Sequence, residues 1–364
     1  MHNLTSILQA CYSTQSNPPW RSAVYAVLLL IVATITACSD AERVADSRLD
    51  FFALGTEVSV TLYGVTDERA TVAKKRLESE LADMGHDWYP WRPGELSRIN
   101  AAIADGQSID VTKNLARIIQ RAAEVEVLSN NAFNAGLGQL TELWGLHDFS
   151  APPGLPGEID IRALLDSGMS VAAINWDDNR MSGAARSTMI DLGGIAKGAV
   201  LDEIVFVLDV LDIDNAIINI GGDLRVVGDV HGRPARIGIR SPIADSPVAS
   251  IDIAAGETVV TSGNYERFVE IDGRRYAHVL DPRTGYPVEH TASVTVIHND
   301  AMLADAAATA LMVGGPTEFD ALAKALGLEF ALLIDASGDL RLTPAMGERL
   351  NWIEQGPHEQ DSRD

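Results

Sequence analysis

The stretch from Val259 to Thr309 constrains the fold most. VVTSGNYERFV (259–269) and RYAHVLDPRTGYPV (275–288) flank Asp272-Gly273-Arg274, with apolar residues alternating on both sides. An Asp-Gly pair between alternating runs is a strong short-range hairpin signal, because such tight turns need positive φ. The spacing predicts one hairpin made of these two halves, then a strand at SVTVI (293–297) and a helix from ADAAATALMV (304–313). On that helix Asp305 falls in the first turn and Thr309 one turn later on the same face. The return strand carries His278 and Asp281 to a bend rich in proline and glycine. Titratable and hydroxyl groups beside a helix N-terminus can assemble an anion and metal site.

Around this stretch the pattern is mixed. FFALGTEVSVTLYGV (51–65) alternates as a strand with a bend at Gly55-Thr56, and 66–84 has helical spacing with Thr66 or Asp67 at its cap. The aromatic segment 87–100 reads as a loop because two prolines interrupt it, and 112–130 reads as a second amphipathic helix. A Pro/Gly loop at 149–158 precedes a short helix at 159–170 and two short strands within 171–190. DLGGIAKG leads a helix over 191–211, and strands follow in 214–228, 233–243 and 248–263. Helices at 304–313 and 317–326 and strands near 329–334 and 339–342 complete the chain. Hairpins and helices without regular alternation predict an α+β fold of mixed hairpin sheets with packed helices.

Four segments are expected: a leader over 1–37, a polar tether over 38–48, one domain over 49–350 and a disordered acidic tail over 351–364. SAVYAVLLLIVATITAC (22–38) follows Arg21 and ends in small residues before Cys38, the build of an export signal and too short for a confident membrane span. Its Ile-Thr-Ala-Cys ending resembles a bacterial lipobox, so Cys38 is expected to be lipidated and to anchor the chain on the periplasmic side of a membrane. The other cysteine, Cys11, lies in the leader, which leaves the domain without disulfide or thiol chemistry. A net charge of −23 argues against nucleic acid as a partner.

Taken singly, the polar motifs have ordinary structural readings. GGIAKG (193–198) matches neither a Walker loop nor a dinucleotide fingerprint, though its N–H groups and Lys197 suit an anion. Asn219-Ile220-Gly221-Gly222-Asp223 reads as a strand ending in a tight turn, and Asp281-Pro282 with Thr284-Gly285 is common turn chemistry. A helix dipole would account for Asp305, and a strand histidine such as His278 is as a rule structural. Asp305 with Thr309 also suits a hard cation that takes oxygen ligands, magnesium rather than zinc.

Together they form an ordered set. SGNYE, HVLDPRTGYP, DAAATAL, DLGGIAKG with Asp202, and NIGGD strongly resemble the ApbE family of FAD:protein FMN transferases, and ALGTEVSVTLY, ELSRIN and LWG are similar to its N-terminal half. The resemblance covers roughly residues 50–345. It implies a T-fold-related architecture and a magnesium-dependent enzyme that transfers FMN from FAD to a threonine or serine hydroxyl of a partner protein, releasing AMP. The implied partners are flavin-acceptor subunits of membrane redox complexes of the quinone reductase or Rnf type.

By the family pattern, Mg2+ sits on Asp305, Thr309 and Gly194, and His278 is the catalytic base. FAD contacts fall on Leu54, Trp91, Ala132, Phe133, Asn134, Asp191, Lys197, Asn219, Gly221, Gly222, Asp223, Ser262, Gly263, Asp281 and Thr284. Leu54 stands where methionine is usual, Trp91 where tyrosine is usual, and Asn134-Ala135 where Asp-Pro is usual. Two other outcomes fit the same residues: a magnesium-dependent FAD pyrophosphatase giving FMN and AMP, and a non-catalytic periplasmic flavin-binding lipoprotein.

Overall fold

The computed structural model describes residues 44–148, 154–242, 246–265 and 267–353. The leader, Cys38, much of the 149–158 loop and the tail beyond residue 353 lie outside them.

Eight strands form the central sheet, and their spatial order follows the chain: β1 (Val44–Ala53), β2 (Thr56–Thr66), β3 (Ala216–Ile220), β4 (Asp223–Val227), β5 (Thr258–Gly263), β6 (Thr291–His298), β7 (Phe330–Asp335) and β8 (Leu340–Leu342). The pairs from β2 to β8 are antiparallel. β1 takes in residues 44–48, so the expected tether is in part strand.

Period-two alternation divides the core. Val58, Val60, Leu62, Ile218, Ile220, Val260, Val294 and Val296 face one cluster together with the helices. Leu224, Val226, Val259, Ile297 and Leu332 face a second cluster with the strands Ala235–Arg240 and Pro247–Ile253. Asn351–Trp352 pairs with the latter strand, so the expected disordered tail begins with an ordered strand.

The helical layer comes from insertions between strands. α1 (Asp67–Asp87) is capped by Thr66, whose Oγ1 accepts from Arg69 N at 3.3 Å. α2 (Glu95–Asp105) takes up the end of the segment expected to be loop, because both prolines, Pro90 and Pro93, precede its start. α3 (Lys113–Leu128), α4 (Gly138–Leu143), α5 (Glu158–Asp166), α6 (Ala196–Val210) and α7 (Ala301–Ala325) follow. α7 is broken at Gly315, whose φ of 60° precedes Pro316, as the two separate helices of the sequence reading required. None of the described helices is long and apolar enough to cross a membrane.

The expected long hairpin divides in two. Val259 to Gly263 belongs to β5, which pairs with β6 and not with the return segment. Only Phe268–Ile271 and Arg274–Ala277 pair around the tip, where Asp272 and Gly273 have φ of 52° and 78°. The inner face of this small hairpin packs Val269, Ile271 and Tyr276 on Leu140, Trp144 and Ile161.

Candidate active site

Close approach of α6 and α7 sets the inner half of the site. Gly198 makes it possible: a Cβ there would lie 2.3 Å from the Ala301 carbonyl oxygen. α7 is capped by Asp300, whose Oδ1 accepts from Leu303 N at 2.9 Å. Asp305 therefore sits in the second turn of α7, not the first, and its own helix dipole does not explain it. Its Oδ2 instead accepts from Gly198 N at 3.0 Å, in the first turn of α6. That interaction uses one of the N–H groups the glycine turn was expected to offer a ligand.

Lys197 Nζ lies 2.5 Å from Asp223 Oδ2 and 3.7 Å from Asp305 Oδ1. Both carboxyl groups are 1% exposed, so two buried carboxyls flank one ammonium. Asp223 Oδ1 also accepts from Thr261 N at 3.0 Å, which ties β4 to β5 beyond their paired residues. Burial raises the Asp223 carboxyl to about 7, with Lys197 lowering it and Asp305 raising it further. One turn after Asp305, Thr309 meets Gly194: a Cβ on Gly194 would be 3.2 Å from Thr309 Oγ1 and 3.1 Å from the Phe133 ring. A carboxyl, a hydroxyl and a glycine backbone beside a second buried carboxyl, that of Asp223, fit a hard divalent cation. Among the described residues no three His, Cys, Asp or Glu side chains converge as a metal cluster, so any ion held here takes few protein ligands.

The outer half is the hairpin region. His278 N and Nδ1 both approach the Arg267 carbonyl oxygen, at 3.2 and 3.1 Å. A carbonyl only accepts, so Nδ1 carries the proton and Nε2 keeps its lone pair. Burial lowers His278 to about 4; the Arg267 hydrogen bond opposes this and the charges of Arg267 and Lys197 reinforce it. The imidazole is therefore neutral at neutral pH. The Leu54-Gly55 turn approaches Arg267, whose Nη2 would lie 3.8 Å from a Cβ on Gly55. The Arg267 charge also acts on Asp191, whose carboxyl is raised by burial although Gly193 N and Thr141 Oγ1 bind it at 3.0 and 3.3 Å. Asn100 fixes the residue before Asp191 by hydrogen bonds to both the N–H and the carbonyl of Ile190.

Several expected FAD contacts have structural duties. Asn134 holds its own loop, donating to Asn131 Oδ1 and Met169 O and accepting from Gly136 N. Asn219 Oδ1 accepts from Gly222 N, and Gly221 packs on Thr56. Asp281 pairs with Arg283, which reaches on to Glu318, and Thr284 Oγ1 accepts from Tyr286 N. Trp91 lies against Tyr89 and His147. Ala132 is buried, Ser262 stands opposite Val294, and Gly263 packs on the Tyr265 ring. Sequence reasoning missed Gly198, whose signal was its place in GGIAKG, and Arg267, which follows SGNYE directly.

The profile of the ApbE family matches residues 54–333. A protein of Rhodobacter capsulatus, an FAD:protein FMN transferase, is 34% identical over 84% of this chain, a match spanning 58% of that relative. The FAD:protein FMN transferase of Haemophilus influenzae is 27% identical over 86% of this chain and 92% of its own length. The crystal structure of the ApbE protein of Thermotoga maritima superposes with a TM-score of 0.76 at 28% identity, covering 84% of this chain and 99% of that one. The α+β fold and the ordered motifs agree with these likenesses: the chain belongs to the ApbE family.

Proposed function

We propose that this protein is an FAD:protein FMN transferase, which moves the FMN half of FAD onto a threonine or serine hydroxyl of a partner protein and releases AMP. The observation that carries this reading is the neutral His278, with Nε2 as its basic atom, beside the Lys197–Asp223–Asp305 cluster. The activity of the Rhodobacter and Haemophilus relatives supports it. In the transfer step the acceptor oxygen bonds to the FMN phosphorus, the bond from that phosphorus to the AMP oxygen breaks, and the hydroxyl proton passes to His278 Nε2. Lys197 and Arg267 hold positive charge where a pyrophosphate is negative.

Asp305, Thr309 and the Gly194 carbonyl are the residues that would hold Mg2+, which when bound neutralises the pyrophosphate and so admits an attacking oxygen. Asp305 is aimed by Gly198 N and lies beside the Lys197 ammonium. Leu54, Trp91, Phe133 and Asp191 supply apolar and polar walls for FAD.

The acceptors we propose are flavin-carrying subunits of membrane redox complexes, met at the periplasmic face where lipidated Cys38 anchors the chain. Incubating the protein with FAD and Mg2+, with and without an acceptor domain, tests the reading. Flavin bound covalently to the acceptor, with AMP in equal amount and loss of both on chelation, is the expected result. AMP and free FMN without labelled acceptor would make the protein a pyrophosphatase, and FAD left intact would make it a binder.

A further inference from the structure

Beneath the Lys197–Asp223–Asp305 cluster lies a second charged group that the transfer step does not use. Arg225 is two residues from Asp223 on β4. Leu224 and Val226 belong to the opposite sheet face, which leaves Asp223 and Arg225 together on the face toward the helices. Arg225 stands opposite Thr258 in the β4–β5 register, and its Nη1 donates to Thr258 Oγ1 at 2.7 Å and to the Asn299 carbonyl. Asn299 immediately precedes Asp300, the cap of α7. Asp202, one turn after Gly198 on α6, faces the same charge group: Arg225 is the chief cation acting on it, with Arg117 beside it and Asp300 and Glu203 as neighbouring anions. Arg121 closes the group from α3 through Asp300 Oδ2 at 2.5 Å.

The two charged groups lie on opposite sides of the Gly198–Ala301 contact. On one side Asp305 binds the start of α6, and on the other Arg225 joins β4, β5 and the entry of α7 while facing Asp202 of α6. We propose that Arg225 is a positioning residue, which fixes β4 and α7, with Asp202 of α6, at the spacing that lets Asp223, Lys197 and Asp305 meet. From β4 its guanidinium bonds Thr258 of β5 and the residue before the α7 cap, and its charge acts on Asp202 of α6, while it contacts none of Asp223, Lys197 and Asp305 itself. The Asn299 bond acts on the residue before the helix cap, so its loss frees the first turns of α7, where Asp305 is carried.

The inference rests on the reading of Asp305 as the cation-holding carboxylate. Mn2+ binding by electron paramagnetic resonance and FMN transfer from FAD, both measured on the full-length protein well below each variant's melting temperature, test it. Arg225→Met is expected to weaken Mn2+ binding and to slow turnover by about tenfold each, the scale of one lost charge-assisted hydrogen bond. Arg225→Lys, which keeps the charge and one donor direction, is expected to recover most of both losses. Thr258→Val removes one acceptor and carries the test if Arg225→Met does not fold, with a smaller loss of the same kind. A lowered melting temperature with wild-type Mn2+ affinity and turnover in these variants would reduce Arg225 to a merely structural role and overturn the inference. Asp305→Asn is the control: wild-type Mn2+ binding there would overturn the site reading and the inference with it, whereas a loss there with none in Arg225→Met would overturn the inference alone.

Discussion

The two halves of the site are built on different physical terms. The inner half joins α6, α7 and β4 through buried groups: Asp223 and Asp305 are each 1% exposed, and Gly198 has no room for a methyl group. The outer half is a separate two-stranded hairpin with an exposed tip, packed on α4 and α5 through a small apolar cluster. The inner half carries buried charged groups, and the outer half carries His278, the proposed proton acceptor. Charge that must stabilise a developing transition state works best where water is excluded and nothing reorients. A base that meets a hydroxyl from another protein has to lie at an accessible edge. The division implies that damage to the inner half harms folding and chemistry together, while damage to the outer half separates them.

The largest expected effect falls on the inner half. Asp305→Ala removes the carboxylate aimed by Gly198 N, and turnover should fall by about 10³-fold in a flavin-transfer assay. Lys197→Met comes next, because it leaves Asp223 and Asp305 buried without their ammonium; unfolding by urea should show a loss of about 3 kcal/mol. That loss should shrink below neutrality, since Asp223, already raised to about 7, can then take up a proton.

His278→Ala tests the other side of the comparison. Transfer should fall by about 10²-fold with the urea midpoint nearly unchanged. In the wild type, the acid limb of kcat/KM due to His278 should lie near the value of about 4 to which burial lowers it. The unfolded histidine protonates near 6.5 and the folded one only near 4. Between these values the unfolded chain binds more protons, so this group's contribution to stability is complete above 6.5 and declines as the pH falls to 4. The smallest effect belongs to Gly273→Ala at the tip, where φ is 78° but no atom lies within 4 Å of the added methyl group. It should cost about 1 kcal/mol, measured as faster local hydrogen exchange in 268–277.

How much was legible from sequence follows the range of the interactions. The Asp272-Gly273 tip, the Thr66 cap and the break before Pro316 are local matters of backbone chemistry, and each was readable from a few residues. The partner of β5 was not, because its alternation fits β6 as well as the nearer return segment, and sheet pairing selects between them. The role of Asp305 was misjudged for a similar reason: the dipole that binds it belongs to α6, which lies 107 residues away in the chain. Gly194, Lys197, Asp223, Asp305 and Thr309, named from the order of the motifs, lie close together in the structure, Lys197 between Asp223 and Asp305 and Gly194 against Thr309. It did not show that Asn134 and Asn219 have their side chains engaged in their own turns. Arg225 carried no local signal at all, since its importance comes from three elements meeting around it.

The most direct test of the transferase reading is the intact mass of an acceptor subunit co-expressed with this protein. An added FMN on one threonine or serine is expected with the wild type and should be absent with Asp305→Ala. An unmodified acceptor with the wild type, in cells where the protein is folded and FAD is present, would contradict the reading.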